Sequence, residues 1–372
     1  MRQADMIDTK ANPAAPAGTP LGGMAVAVDV AGIEKELASL WRTQSQEQSK
    51  ALTRACAWNL IVYTTDDDAA ARAKQFADKL VSSVPTRTIL VKNQPYASTG
   101  KPIEAWVSAN CHIGAGGGKL LCTEEIHIES RGKGAEHVPG LLRALVVPDV
   151  PTALWWAGAP PDNAAAVRLL LSGVDRLIVD TGAAPEGGLS RLAHVGGLLD
   201  GVTLVDMNWL RTASLRSLLA SLFDAPGGHQ PLWNIARVKV STSSMSAARL
   251  MLGWLTSRLK WTVQERIPRS SGASWRLLSR EEEPINVDVE LVAQAVRGSG
   301  LDRLVLETTS GVRYGFAATD GAVVQVEGPG ALARAFSAPE PPDEQLLVAA
   351  LGTRGRDRLS GVALHRALEL DR

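Results

Sequence analysis

Cysteine is scarce in this chain. Three occur in 372 residues, too few for the disulfide framework that small secreted domains rely on. Net charge is absent too: 39 Lys plus Arg balance 39 Asp plus Glu. That removes the electrostatic basis for nonspecific nucleic-acid binding or attraction to a membrane surface. No segment approaches the roughly 18 consecutive apolar residues of a membrane helix. The first twenty residues, MRQADMIDTKANPAAPAGTP, lack the apolar core of a secretory leader. These absences lead to the expectation of a cytoplasmic protein whose partner is neither nucleic acid nor membrane. Tyrosine and phenylalanine are also few, at three and four, against ten tryptophans. Tryptophan fills cores and also dominates the energetic centres of interfaces, so ten of them leave room for both uses.

At roughly 100–200 residues per domain the length suggests two or three domains. Residues 1–27 are rich in Ala, Pro and Gly without periodicity and read as a flexible tail. From Ala31 a helix carries Ile33, Leu37, Leu40 and Trp41 at helical spacing. Trp58–Tyr63 is a strand, and Asp66–Asp68 can cap the helix that follows. Arg87–Val91 is the next strand, completing a βαβ unit. Ile103–His112 and Lys119–Ser130 alternate and flank Gly114–Gly118, which reads as a long β-hairpin. Strands at Ala153–Trp156, Arg176–Asp180 and Val202–Val205 then alternate with helices at Asn163–Leu171, Leu189–Leu199 and Trp209–Phe223. Such repetition favours a mostly parallel sheet covered on both faces.

Residues 225–231, APGGHQP, are the best linker, so domains are expected at 28–224 and 232–372. Beyond the linker, a helix over Ser244–Lys260 shows an apolar stripe of Ala248, Met251, Leu252, Leu255 and Leu259, with Arg249, Gly253, Ser257 and Lys260 opposite. Several alternating runs follow it. The fold class is therefore α/β: an N-terminal βαβ-rich domain with a β-hairpin, then a C-terminal α+β domain with an antiparallel sheet.

Catalytic motifs are incomplete. Gly118-Lys119 fails as a phosphate loop, because Ile113 holds the place of the first glycine and Leu120 that of the Mg²⁺-binding hydroxyl. No nucleophile elbow and no zinc-protease motif occurs. His112, His127 and His137 lie too loosely beside Cys111 and Cys122 for a zinc site, so neither metal nor cofactor is expected. A hairpin turning symmetrically about Gly116–Gly117 would set Cys111 opposite Cys122, within disulfide reach. The two form a possible redox pair, or else two buried thiols. Asp66, Asp180, Asp206 and Asn208 follow strands. There they could hold a metal–phosphate substrate at the carboxyl edge of a sheet, or cap the next helices.

Two stretches use tryptophan. In Asp149-Val150-Pro151-Thr152-Ala153-Leu154-Trp155-Trp156 the adjacent tryptophans point to opposite faces of a strand, so both are buried only if both faces are covered. In the helix that begins at Asn208-Trp209-Leu210-Arg211, Leu215, Leu218, Leu219 and Leu222 supply the buried stripe. Trp209, Arg211 and Arg216 are left for a partner, or for an intramolecular salt bridge to Asp180 or Asp206.

These stretches, with Ile33–Trp41, Trp58–Val62, Val84–Arg87, Cys122–Ile126, Asp175–Asp180 and Gly253–Trp261, resemble in order the glucose-6-phosphate dehydrogenase assembly protein family, OpcA. The resemblance covers roughly residues 31–261. It departs at Leu215, where the family tends to carry a second tryptophan. Cyanobacterial members are linked to thioredoxin control through cysteines near the C-terminus, and this chain has no cysteine after Cys122. The resemblance implies a non-catalytic protein that binds glucose-6-phosphate dehydrogenase, with Asp149, Trp155, Trp156, Asn208, Trp209, Arg211 and Arg216 as candidate contacts. The rival readings are a metal-dependent enzyme acting on a phosphorylated sugar or nucleotide-sugar at Asp180 and Asp206, and a redox sensor built on Cys111 and Cys122.

Overall fold

The computed structural model describes residues 26–47, 52–54, 56–80, 83–113, 120–161, 163–184, 186–195, 199, 201–224, 229–320, 322–329, 334–353 and 355–371. Its contacts form two units, Met1–Thr152 and Ala153–Arg372. The division falls well ahead of the 225–231 segment expected as a linker, of which 225–228 lie outside the described residues. The physical reason is a shared core. Leu215, Leu219 and Phe223 pack with Val238, Val240, Trp275 and Phe316 in one apolar cluster, so the residues before 225 cannot be parted from those after 231.

The first unit contains β1 (Val26–Val28), α1 (Ile33–Glu47), β2 (Leu52–Arg54), β3 (Trp58–Thr64), α2 (Asp67–Leu80), β4 (Thr86–Gln94), β5 (Ile103–Ile113), β6 (Leu120–Arg131) and α3 (Val138–Leu145). The strands lie in the order β1-β5-β6-β4-β3, with β2 also on β6. β3, β4 and β6 are parallel, and β5 returns antiparallel along β6. Val26 and Val28 pair with β5, so the last residues of the expected tail are strand. Residues 1–25 lie outside the described residues. β3 is buried over Asn59–Thr64, which explains its unbroken apolar run. Asp66 caps α2 by accepting from Ala69 N–H at 2.6 Å. In the hairpin, Cys111 lies opposite Cys122 in register. Cys122 is disulfide-bonded, and the Cys56 thiol donates to the Trp58 carbonyl at 3.4 Å. The glycine tip, 114–118, is outside the described residues.

Among the buried polar side chains of this unit, Arg87 and Asn59 tie separate elements together. Arg87 donates to Glu124 at 2.7 Å, to Glu34 at 2.7 Å and to the Leu145 carbonyl at 2.7 Å, while Trp41 donates to Glu124 at 2.5 Å. One guanidinium thereby joins α1, β4, β6 and the end of α3. Burial opposes the Arg87 charge, but Glu34 and Glu124 outweigh it and raise its pKa. Asn59 donates to the carbonyls of Val147 and Val150, each at 3.0 Å, and accepts from Val147 N–H at 2.8 Å. It thus fixes the loop after α3.

The second unit contains β7 (Thr152–Trp156), α4 (Ala164–Leu170), β8 (Arg176–Val179), α5 (Gly188–Val195), β9 (Thr203–Asp206), α6 (Met207–Arg211) and α7 (Ala213–Ser221). After these come β10 (Ile235–Thr242), α8 (Met245–Leu259), β11 (Thr262–Pro268), β12 (Ala273–Leu278), β13 (Pro284–Leu291), β14 (Leu301–Thr308), β15 (Arg313–Ala318), β16 (Val323–Glu327), β17 (Arg334–Ser337), α9 (Asp343–Gly352) and α10 (Arg358–Glu369). β7, β8 and β9 are parallel. The later strands form an eight-stranded sheet ordered β11-β12-β13-β10-β14-β15-β16-β17. It is antiparallel throughout except where β10 runs parallel to β13. The expected C-terminal α+β sheet is present, with β10 as an unforeseen central strand.

On the face of α8 opposite its leucine stripe, Arg249 and Gly253 are covered, while Lys260 is exposed. Arg249 is buried and meets Asp371 at 2.5 Å, and α10 packs along the helix. Gly253 permits this approach, since a Cβ there would sit 2.2 Å from the Ala363 carbonyl oxygen and 2.7 Å from the Ala367 nitrogen. Gly253→Ala should therefore destabilise the protein by about 1–3 kcal/mol, the cost of overpacking, despite alanine's better helix propensity. Urea unfolding of the two proteins checks it. An unchanged or raised midpoint would show that the helices part freely.

Candidate functional site

β8 and β9 are neighbours, with Val179 opposite Asp206, so Asp180 and Asp206 emerge together at the carboxyl edge. Both are consumed by local chemistry. Asp206 caps α6, accepting from Asn208 N–H at 3.0 Å, and also accepts from Thr181 N–H at 3.1 Å and the Thr181 hydroxyl at 2.7 Å. The cap is thus Asp206, two residues ahead of Asn208, which also follows the strand. Asn208 is fully buried and donates from its amide to the Thr181 hydroxyl at 3.1 Å. Asp180 accepts from Gly182 N–H at 2.9 Å.

Arg211 grips Asp180 with both terminal nitrogens, at 3.1 and 2.7 Å, and reaches Asp343 at the start of α9 at 2.9 Å. Burial disfavours its charge, but the two carboxylates prevail and raise its pKa. Gly182 lies flush against this pair, where a Cβ would sit only 3.1 Å from an Arg211 terminal nitrogen. Trp209 is buried and donates from its indole to Asp357 at 3.0 Å. Asp357 in turn caps α10 through Leu359 N–H at 2.9 Å and Ser360 N–H at 3.1 Å. Arg216 stacks on Trp209 at 3.3 Å from the ring centroid, an attractive cation–π placement. It also donates to the Trp209 carbonyl at 2.8 Å and the Thr212 hydroxyl at 2.7 Å. Burial pushes the Arg216 pKa down to about 10, against the pull of Asp357 and Asp206. Arg176 closes the other end of α9, donating to the carbonyls of Ala350 and Leu351, each at 2.6 Å.

The structure thus brings Asn208, Trp209, Arg211 and Arg216 into one cluster with Asp180 and Asp206, and turns their functional groups inward. The intramolecular alternative describes Arg211. Trp155 is buried on β7 and Trp156 is half-buried. Asp149 differs from all of these. It lies in the first unit, exposed in the loop that Asn59 fixes, and its backbone is left-handed at φ 61°. An ordinary residue held there stores strain that surrounding contacts must impose. Sequence reasoning missed Thr181, Asp343 and Asp357. The acids at the starts of α9 and α10 could have been read as caps, but no local pattern pairs them with residues well over a hundred positions earlier.

Two family models match in chain order. One, described as the glucose-6-phosphate dehydrogenase subunit N-terminal domain, covers residues 77–194. The other, described as the C-terminal domain of the same subunit, covers residues 202–364. The chain belongs to the OpcA family. Relatives named as the OxPP cycle protein OpcA include one from Nostoc punctiforme, 32% identical over 192 residues, which are 50% of this chain and 40% of that protein. Another, from a Synechocystis strain, is 30% identical over 191 residues, 50% of this chain and 39% of that protein. The chain therefore spans about two fifths of the length of these OpcA relatives. Among solved structures, an NAD-binding oxidoreductase from Klebsiella pneumoniae superposes with a TM-score of 0.48 at 10% identity, covering 85% of this chain and 96% of that one. A likeness at that level carries no argument about activity.

The Asp206 carboxyl is pushed up to about 6, by burial first and by the nearby Asp180 charge second, against its hydrogen bonds. A raised folded-state pKa means that the folded protein holds this proton more tightly than the unfolded chain does. The resulting stability is fully present below the ordinary value of 3.8 and is lost as pH rises through about 6. Over that window it amounts to on the order of 3 kcal/mol. Asp206→Asn cannot titrate, so the stability of the natural protein relative to this variant should rise between pH 7.5 and pH 5. Urea midpoints at the two pH values measure it. A constant difference would mean that Asp206 keeps an ordinary pKa.

Proposed function

We propose that the chain is a non-catalytic assembly factor that binds glucose-6-phosphate dehydrogenase in the cytoplasm and favours its active form. The observation that carries this reading is the match, in order, to the two models described as domains of a glucose-6-phosphate dehydrogenase subunit. The state of the strand-end acids supports it. Asp180 and Asp206 spend their oxygens on Arg211, Gly182, Thr181 and Asn208, so the rival reading of a metal–phosphate site would require this cluster to be dismantled.

The mechanism is a population shift. A partner that binds the active conformer better moves the equilibrium by its differential affinity, about 1.4 kcal/mol per tenfold. Of the candidate contacts, Asp149 has the exposure and the fixed loop that recognition needs. Trp156 is the second choice. The inward-facing Asn208, Trp209, Arg211 and Arg216 serve binding only by shaping the unit that carries them.

Titrating the purified protein into the cognate dehydrogenase tests the reading. The expected result is co-elution together with a lower KM for glucose 6-phosphate or a higher kcat, and no turnover by this chain alone. Unchanged kinetics at saturating protein, with separate elution, would overturn it.

A further inference from the structure

The first unit holds a cavity of about 320 Å³ at the carboxyl ends of β3 and β4, roofed by the first half of α2. Strand register explains its floor. Val62 pairs with Leu90, Leu90 with His127, and His127 with Trp106, so these four side chains form one row across one face of the sheet. Ala70, Ala71 and Ala73 of α2 add apolar lining. The volume lies at the lower end of the roughly 300–1,000 Å³ typical of small-molecule sites.

The charged groups at the rim already have opposite partners. Lys92 meets Glu129 at 3.0 Å and Asp67 at 3.2 Å. Lys74 meets Glu125 at 3.3 Å, and Glu125 also holds His127. Burial works against the Glu125 charge, but His127 and Lys74 outweigh it and lower its pKa. Two neutral groups are in the opposite condition. The Trp106 indole nitrogen and the Ser108 hydroxyl are buried and, among the described residues, have no hydrogen-bond partner. Trp106 lines the cavity, and Ser108 follows it on the same face of β5. A buried donor without a partner is costly, and one that faces a cavity has room there for an acceptor.

From the cavity and the orphaned Trp106 indole beside it we infer that the first unit carries a binding site for a compact, uncharged planar heterocycle of nucleobase type. Its acceptor nitrogen or carbonyl receives the Trp106 N–H, and its ring lies between the aliphatic walls and the indole. A polyanion is disfavoured, because each lysine would have to leave its carboxylate. A sugar is disfavoured, because its several hydroxyls would face Val62, Ala70, Ala73 and Leu90 without partners. The test of this site does not use the dehydrogenase, so it can fail without the proposed function failing.

Calorimetric titration of the full chain with adenosine, uridine and nicotinamide, and with glucose as the contrasting probe, decides the matter. At least one heterocycle should bind with a Kd below about 1 mM, and glucose should give no heat. Trp106→Phe keeps the ring but removes the donor, and should weaken binding about three- to tenfold. Ala70→Leu fills the cavity and should abolish the heat, with the circular dichroism melt showing that the variant is folded. No binding by any heterocycle, binding of glucose alone, or an undiminished affinity in Trp106→Phe would each overturn the inference, and the last needs no cavity-filling variant to be read.

Discussion

The second unit depends on a guanidinium held away from water. Arg211 lies between Asp180, at the end of β8, and Asp343, at the start of α9. Removing a charge from water costs several kcal/mol, which is recovered only when opposite charge and hydrogen bonds are supplied in good geometry. Here the supply is bidentate from Asp180, the arrangement that a planar guanidinium matches best. The neighbours follow from it. A Cβ at Gly182 would crowd the pair, at 3.0 Å from Asp180 and 3.1 Å from Arg211, and Asp180 is oriented by the Gly182 N–H. Asp206 is packed beside a second carboxylate, which helps to raise its pKa. Trp209, two residues before Arg211, is thereby set to reach the cap of α10.

The same logic accounts for the segments that carry the family resemblance. Arg87 and Glu124 come from two of them and meet across β4 and β6, with Trp41 from a third on the same carboxylate. Asn59, from a fourth, clamps the loop that contains Asp149. Gly253, from a fifth, lets α10 approach α8. Residues that are recognisable in sequence are in these cases the ones whose polar groups or missing side chains join distant elements. The interface residues of a binding protein need not be among them. The exposed Asp149, strained at φ 61°, differs in being both held by such a clamp and open to a partner.

Much of the fold is legible in the sequence because periodicity is local. The βαβ start, the hairpin register with Cys111 opposite Cys122, and the parallel run β7, β8, β9 all follow from alternation, helical spacing and turn residues. What escapes is non-local. The cover over Arg249 and Gly253 of α8 is not legible locally, because α10, which supplies it, begins about a hundred residues later. A Pro/Gly-rich stretch such as 225–231 signals a turn but says nothing of whether the segments on either side share a core, as they do here. The sequence leaves Arg211 to a partner or to a salt bridge, with Asp180 as one possible acid. Its second partner, Asp343, lies 132 residues away, beyond any local pattern.

The account turns on whether Arg211 serves the fold. Equilibrium unfolding of Arg211→Met, which keeps length and apolar bulk while leaving Asp180 uncompensated, tests this directly. Breaking a buried pair from one side costs about 3–5 kcal/mol, and the partial exposure of the acids places this case near the lower end, at about 3 kcal/mol. A loss of that size, with the affinity of the folded fraction for the dehydrogenase unchanged, is the predicted result. An unfolding midpoint equal to that of the natural protein, together with lost affinity, would contradict the account and return Arg211 to the interface.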